Sequence, residues 1–212
     1  MKAKKTAFYV LAALMAGCVP VASLHPLFTK ETLVFEEKLL GTWVEDSNKP
    51  EITWEFARLD AATVENLPKQ LQDEVGKLYR LNVTDNEGRK GVLIACLVKL
   101  KDGLFLDVLA DKFPSGDYDP EKMKLVYNAF FFLSVHTFVR IDALGDKLKL
   151  RLTDDDGFRK LIEAEPKAVK CETVEERIIL TASTEELQAF MIKYAADERL
   201  FPNDVTLTRK SK

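Results

Sequence analysis

Chemically reactive side chains are scarce in this chain of 212 residues, which carries two histidines, three cysteines and nine glycines. No His-x-x-x-His or Cys-x-x-Cys spacing offers a zinc site, and no Gly-x-Ser-x-Gly elbow presents a nucleophilic serine. No glycine-rich loop is present to cradle a phosphate. Positive charge is not in surplus either: Lys and Arg number 31 against 34 Asp and Glu, for a net charge of −3. Without residues 1–17, which hold three lysines, the balance is 28 basic against 34 acidic, or −6. A mildly acidic chain with interspersed signs has no electrostatic hold on nucleic acid, so that partner is not expected. The apolar run from Ala7 to Ala16 is too short to span a bilayer stably.

The few reactive residues read as structural. His25 lies in a proline-flanked segment, and Ser134 and His136 sit two apart on one strand face, close enough to suggest a nucleophile and base. Lacking the elbow, His136 is expected to meet a polar neighbour instead, and no catalytic residue is expected. Asp117, Asp119 and Glu121 alternate in a loop that Pro120 interrupts and that lacks the glycine and terminal glutamate of a calcium loop. Neither a metal nor a cofactor is expected. Export would allow Cys96 and Cys171 to pair, but a small buried thiol suits Cys96, inside the apolar run Val92 to Val98.

What the chain does have is a distinctive beginning. Lys2, Lys4 and Lys5 precede the apolar run, and Met15-Ala16-Gly17-Cys18 places small residues just before a cysteine. This resembles the lipobox of bacterial lipoproteins, with Met15 where that family usually has Leu. The resemblance implies that residues 1–17 are a signal peptide and that Cys18 carries the lipid, a diacylglyceryl thioether with palmitate-type chains. It also implies a place in the bacterial cell envelope. Val19, where aspartate would favour inner-membrane retention, points to the outer membrane of a two-membrane host. Ordinary secretory cleavage at Val21 and Ser23 is the alternative. Residues 18–32 are expected to be lipidated cysteine plus tether, and residues 33–212 a single β-rich domain.

Strand periodicity dominates that domain. Ile52, Trp54 and Phe56 alternate with Thr53 and Glu55, while Tyr79, Leu81 and Val83 alternate with Arg80, Asn82 and Thr84. Asp85 to Gly88 then turns the chain back through Val92, Ile94, Cys96 and Val98, and Lys101 to Gly103 reverses it again. Phe131, Leu133, Val135, Val139 and Ile141 are expected on one strand face, followed by a strand from Lys147 to Leu152, with solvent on one side of the sheet. Further strands are expected over Arg177 to Thr181 and, as an edge, over Val205 to Thr208. Asp154 to Asp156 caps a short helix that Pro166 stops, and Ser183-Thr184-Glu185-Glu186 is a capping box. Helical spacing of Val64, Leu67, Leu71 and Val75 suggests another short helix in 60–76.

The fold class expected is mainly β: an antiparallel meander forming a barrel, or a partly open barrel or sandwich, with two or three short helices. Leu40-Gly41-Thr42-Trp43 resembles the Gly-x-Trp signature of lipocalins and related calycins. That resemblance implies a tryptophan plugging one barrel end beneath an arginine from a late strand, with Arg177 and Arg209 as candidates. Thr153-Asp154 matches the family's middle motif only loosely. The expected function is non-enzymatic: a membrane-anchored envelope protein binding a small apolar ligand or lipid inside the barrel. Trp43, Trp54, Phe56, Phe130, Phe132 and Phe138 are the candidate pocket lining. The alternative is a structural or adaptor lipoprotein contacting an envelope protein partner through its outer surface.

Overall fold

Alternating strands with one apolar side bury it most completely by curling until the first meets the last. The computed structural model of the protein describes residues 21–45, 52–59, 67–85, 88–111, 133–175 and 177–210. Its strands are β1 Ala22–Ser23, β2 Gly41–Glu45, β3 Thr53–Arg58, β4 Leu78–Thr84, β5 Lys90–Leu100 and β6 Gly103–Ala110, then β7 His136–Leu144, β8 Lys147–Leu152, β9 Cys171–Val174, β10 Arg177–Leu180 and β11 Asn203–Arg209. Helices α1 Lys69–Gln72, α2 Asp155–Ala164 and α3 Thr184–Tyr194 accompany them.

Strands β2 to β8 follow one another up and down, each antiparallel to the next, and β11 closes the ring by pairing with both β8 and β2. The protein is therefore mainly β, with a closed eight-stranded antiparallel barrel. β11, expected at an edge, is the closing strand: Leu207 pairs with Glu45 on one side and Leu148 on the other. Closure removes the exposed edges of an open sheet.

The barrel wall separates two cores. Inside lie Trp43, Trp54, Phe56, Tyr79, Leu97 and Leu150. Outside, Ile94, Cys96, Phe105 and Phe138 pack against Phe158 of α2 and Phe190 of α3. The expectation of solvent along one side of the sheet therefore fails for β5 and β6. Between Val92 and Val98 the residues of both parities are apolar, so Leu93, Ala95 and Leu97 belong to the interior while Ile94, Cys96 and Val98 are covered by the outer layer. Such a strand is stable only when buried on both faces.

Both main helices are fixed at their starts. Asp154 accepts the Gly157 N–H at 2.9 Å, and Ser183 and Glu186 form the reciprocal capping box read from the sequence. Gly157 is required by close approach, because a Cβ there would come within 1.8 Å of the Arg199 carbonyl oxygen. Behind the second cap, Leu187, Phe190, Met191 and Tyr194 are buried as one stripe. The helix expected in 60–76 begins only after Pro68, as α1; residues 60–66 lie outside the described residues.

Two further expectations are corrected. The tether does not extend to residue 32: Val21, Leu27 and Phe28 are buried, and β1 pairs parallel with β10 and antiparallel with β7. Gln188 Nε2 donates to the Leu27 carbonyl and Thr184 Oγ1 to that of Pro26, each at 2.8 Å. Val21, between the two prolines, and Leu27 and Phe28, just after the second, bind this segment into the outer core as a strap. The strand expected through Phe131 begins only at His136, leaving Leu133 and Val135 exposed.

Candidate functional site

The barrel interior and its closed end come first, because three of the sequence candidates, Trp43, Trp54 and Phe56, meet there. A short 3-10 turn, Glu37–Leu39, leads into β2 and sets Trp43 across the end of the barrel. Trp43 is fully buried, and its Nε1–H donates to the Leu39 carbonyl at 2.8 Å. The Arg209 guanidinium lies 4.3 Å from the Trp43 ring and donates to the carbonyls of Leu40 and Lys38, each at 2.5 Å. Of the two arginines suggested by the lipocalin resemblance, Arg209 occupies that place, whereas Arg177 sits on β10 in the side extension of the sheet. Gly41 is needed beneath it. Its φ is +115°, and a Cβ would approach Arg209 Nη1 to 2.7 Å.

Tyr79 seals the adjoining part of this end. Its hydroxyl donates to the Glu36 carbonyl at 3.1 Å and accepts the Glu36 N–H at 2.6 Å. Phe35 stacks on its ring with centroids 4.9 Å apart, and the Arg58 guanidinium covers Phe35. Burial pushes the phenol up to about 12 from its ordinary value of 10.0. A folded-state pKa above the unfolded one favours folding fully below the unfolded value and loses that contribution as pH rises through the folded value. We expect stability to fall between pH 10 and about 12, and Tyr79→Phe to remove that alkaline limb. Urea titrations across this range check it.

Trp54 and Phe56 also point inward, from β3. Phe138 does not, and its place in a pocket lining is corrected: Val139 and Ile141 take the inward parity on β7, so Phe138 faces the outer core. Phe130 and Phe132 lie outside the described residues, as do Cys18 and the acids Asp117, Asp119 and Glu121. Most inward side chains are buried, from Trp43 at 0% exposed to Val205 at 9%, while Leu93, Leu104, Leu144 and Leu152 are half-buried against them. Two buried polar atoms on the inward parity have no hydrogen-bond partner among the described residues, Trp54 Nε1 and Thr137 Oγ1. Thr137 takes this parity because it pairs with the inward-facing Val108.

A second polar constellation lies on the outer side of the wall. Asp107 is fully buried; its Oδ2 accepts the Leu27 N–H at 2.7 Å, and its Oδ1 lies 2.7 Å from His136 Nδ1. Phe28 packs edge-on against the imidazole, with ring centroids 6.1 Å apart. The pair thus pins the strap to β6 and β7. His136 meets the polar neighbour expected of it, whereas Ser134 precedes the strand and is exposed. Cys96 is the cross-strand partner of Asp107 and is a free thiol; burial pushes its pKa well up, and the Asp107 charge adds to this. Cys171, on β9, is also free. Such thiols are poor nucleophiles.

Asp107 was absent from the sequence candidates. Its signal was a lone acid in the otherwise apolar strand Leu104 to Ala110. Among the described residues no three His, Cys, Asp or Glu side chains gather into a metal site, and no helix is long and apolar enough to cross a membrane. No protein-family model, no curated protein and no solved structure matches this chain.

Proposed function

We propose that the protein is a non-enzymatic envelope lipoprotein held to a membrane through Cys18, with the barrel as a packed scaffold that meets an envelope partner through its outer surface. The observation that carries this reading is the state of the interior. An empty ligand chamber leaves its lining open to a water-sized sphere, whereas Trp43, Tyr79, Leu81, Leu97, Leu106, Leu148 and Leu150 are all fully buried. The anchor rests on the lipobox resemblance of Met15 to Cys18. Two acyl chains bury enough methylene groups, at about 0.8 kcal/mol each, to make such attachment stable.

A second reading, binding of a small apolar molecule inside the barrel, draws on Trp54 Nε1 and Thr137 Oγ1, which an oxygen-bearing guest would satisfy. Native mass spectrometry of residues 19–212, purified from an exporting host before and after organic extraction, separates the two. A bare mass at full occupancy is the result expected. A small molecule lost on extraction would overturn the scaffold reading in favour of the carrier. For the anchor, the full chain is expected in the membrane fraction with a diacylglyceryl mass on its N-terminal peptide, and Cys18→Ser is expected to lose both.

A further inference from the structure

Exposed apolar side chains scattered singly need no explanation, but a cluster beside a membrane attachment point does. Among the described residues the large exposed apolar side chains are Leu24, Val92, Leu133, Val135 and Val174. Three of these lie within three residues of one cross-strand pair, Ser23 with His136, where β1 meets the start of β7. That antiparallel register sets Leu24 and Val135 next along the two chains, and Leu133 follows. Leu133 is 76% exposed, and Leu24 and Val135 are 38% exposed each.

The chain leading to the anchor ends at the same place. From Cys18 to Val21 is three residues, a reach of roughly 11 Å when fully extended. Val21 is buried and β1 begins at Ala22, so no long tether separates the lipid from the fold. This reach is comparable to the headgroup layer of a bilayer, about 5–8 Å thick on each side. Charge agrees: in a chain that is 31% Asp, Glu, Lys and Arg, neither Val19 to Thr29 nor Leu133 to Val139 contains any of the four. Two segments without fixed charge of their own lose little on entering the interface, where charged ones would be held off.

We infer that Leu24, Leu133 and Val135 form the face that lies against the lipid surface bearing Cys18, so that the barrel stands with the β7 start toward the membrane and the Trp43 end away from it. This inference rests on the anchor reading above. The occupant is the neutral phospholipid interface, because a net-acidic chain has no surplus of positive charge to offer anionic headgroups.

The test uses the full lipidated chain in phosphatidylcholine vesicles whose acyl chains are brominated. A bimane fluorophore is placed at Leu133→Cys in a Cys171→Ser background, where Cys96 is shielded by burial. The control carries it at Asp146→Cys, in the turn at the far end of β7, about 30 Å along the strand. The probe at position 133 is expected to lose most of its emission and the probe at 146 to keep it. Equal emission from the two, with the diacylglyceryl mass present in the same vesicles, overturns the docking and leaves the anchor standing. Absence of that mass overturns the anchor, and the docking falls with it.

Discussion

Replacing His136 by alanine is expected to lower folding stability by about 3–5 kcal/mol, the usual cost of removing one partner from a buried pair. Asp107 is fully buried and its carboxyl has two protein partners, the Leu27 N–H and His136 Nδ1. Without the imidazole, one carboxyl oxygen loses its protein partner in a buried site. The loss is also local: the Leu27 amide should exchange with solvent faster, because the carboxylate that holds it is less well placed. Replacing both partners, as Asp107→Val with His136→Leu, is expected to return part of the stability, since neither member of the pair is then left unmatched, while the Leu27 N–H still loses its acceptor. Urea unfolding of the single and double variants measures this. A single variant within about 1 kcal/mol of the parent would show that the pair does not hold the strap.

Trp43→Ala is expected to cost a similar amount, about 3–5 kcal/mol, for a different reason. The indole is fully buried across one end of the barrel, so its removal leaves a void lined by side chains from several strands. It also strands the Leu39 carbonyl and takes the ring from under Arg209. Trp43→Phe should cost much less, because a ring remains and only the hydrogen bond to Leu39 is lost, worth about 1 kcal/mol. Arg209→Ala should fall between them, at about 1–2 kcal/mol, since its contacts lie at the exposed rim. Thermal unfolding of the three variants should give Tm values ranked Trp43→Phe, Arg209→Ala, Trp43→Ala from highest to lowest. Any other order would mean that the tryptophan does not close the barrel.

Period-two alternation made much of the barrel legible in the sequence. Trp54 and Phe56, and likewise Tyr79, Leu81 and Val83, point inward as their spacing requires. The turn at Asp85 to Gly88, the Asp154 cap and the Ser183 capping box were legible because they are local chemistry, settled within a few residues. What alternation could not convey was the outer layer. Ile94, Cys96 and Val98 look like an inward row until the equally apolar Leu93, Ala95 and Leu97 are counted, and only the tertiary fold decides which row faces where. The same ambiguity misplaced Phe138. The strap resembled a tether because two prolines interrupt any pattern, while its burial depends on partners more than 100 residues away, such as Gln188. Of the candidate site, Trp43 and its arginine were legible through a motif, whereas Asp107 paired with His136 was hidden because nothing in the sequence joins residues 29 apart.

The way the barrel shuts governs the order in which the molecule can assemble. Thr208 meets Val44 across 164 residues of sequence, so the contact that completes the ring is among the most distant the chain makes. Loop-closure entropy makes such contacts the slow part of folding. During synthesis from the amino end, β2 and β8 wait as raw edges until residue 203 has emerged. For that interval the nascent protein is a curled ribbon able to template strand pairing with its neighbours. A chain stopped short of β11 would stay in that condition, which makes this strand a checkpoint on the quality of the whole product.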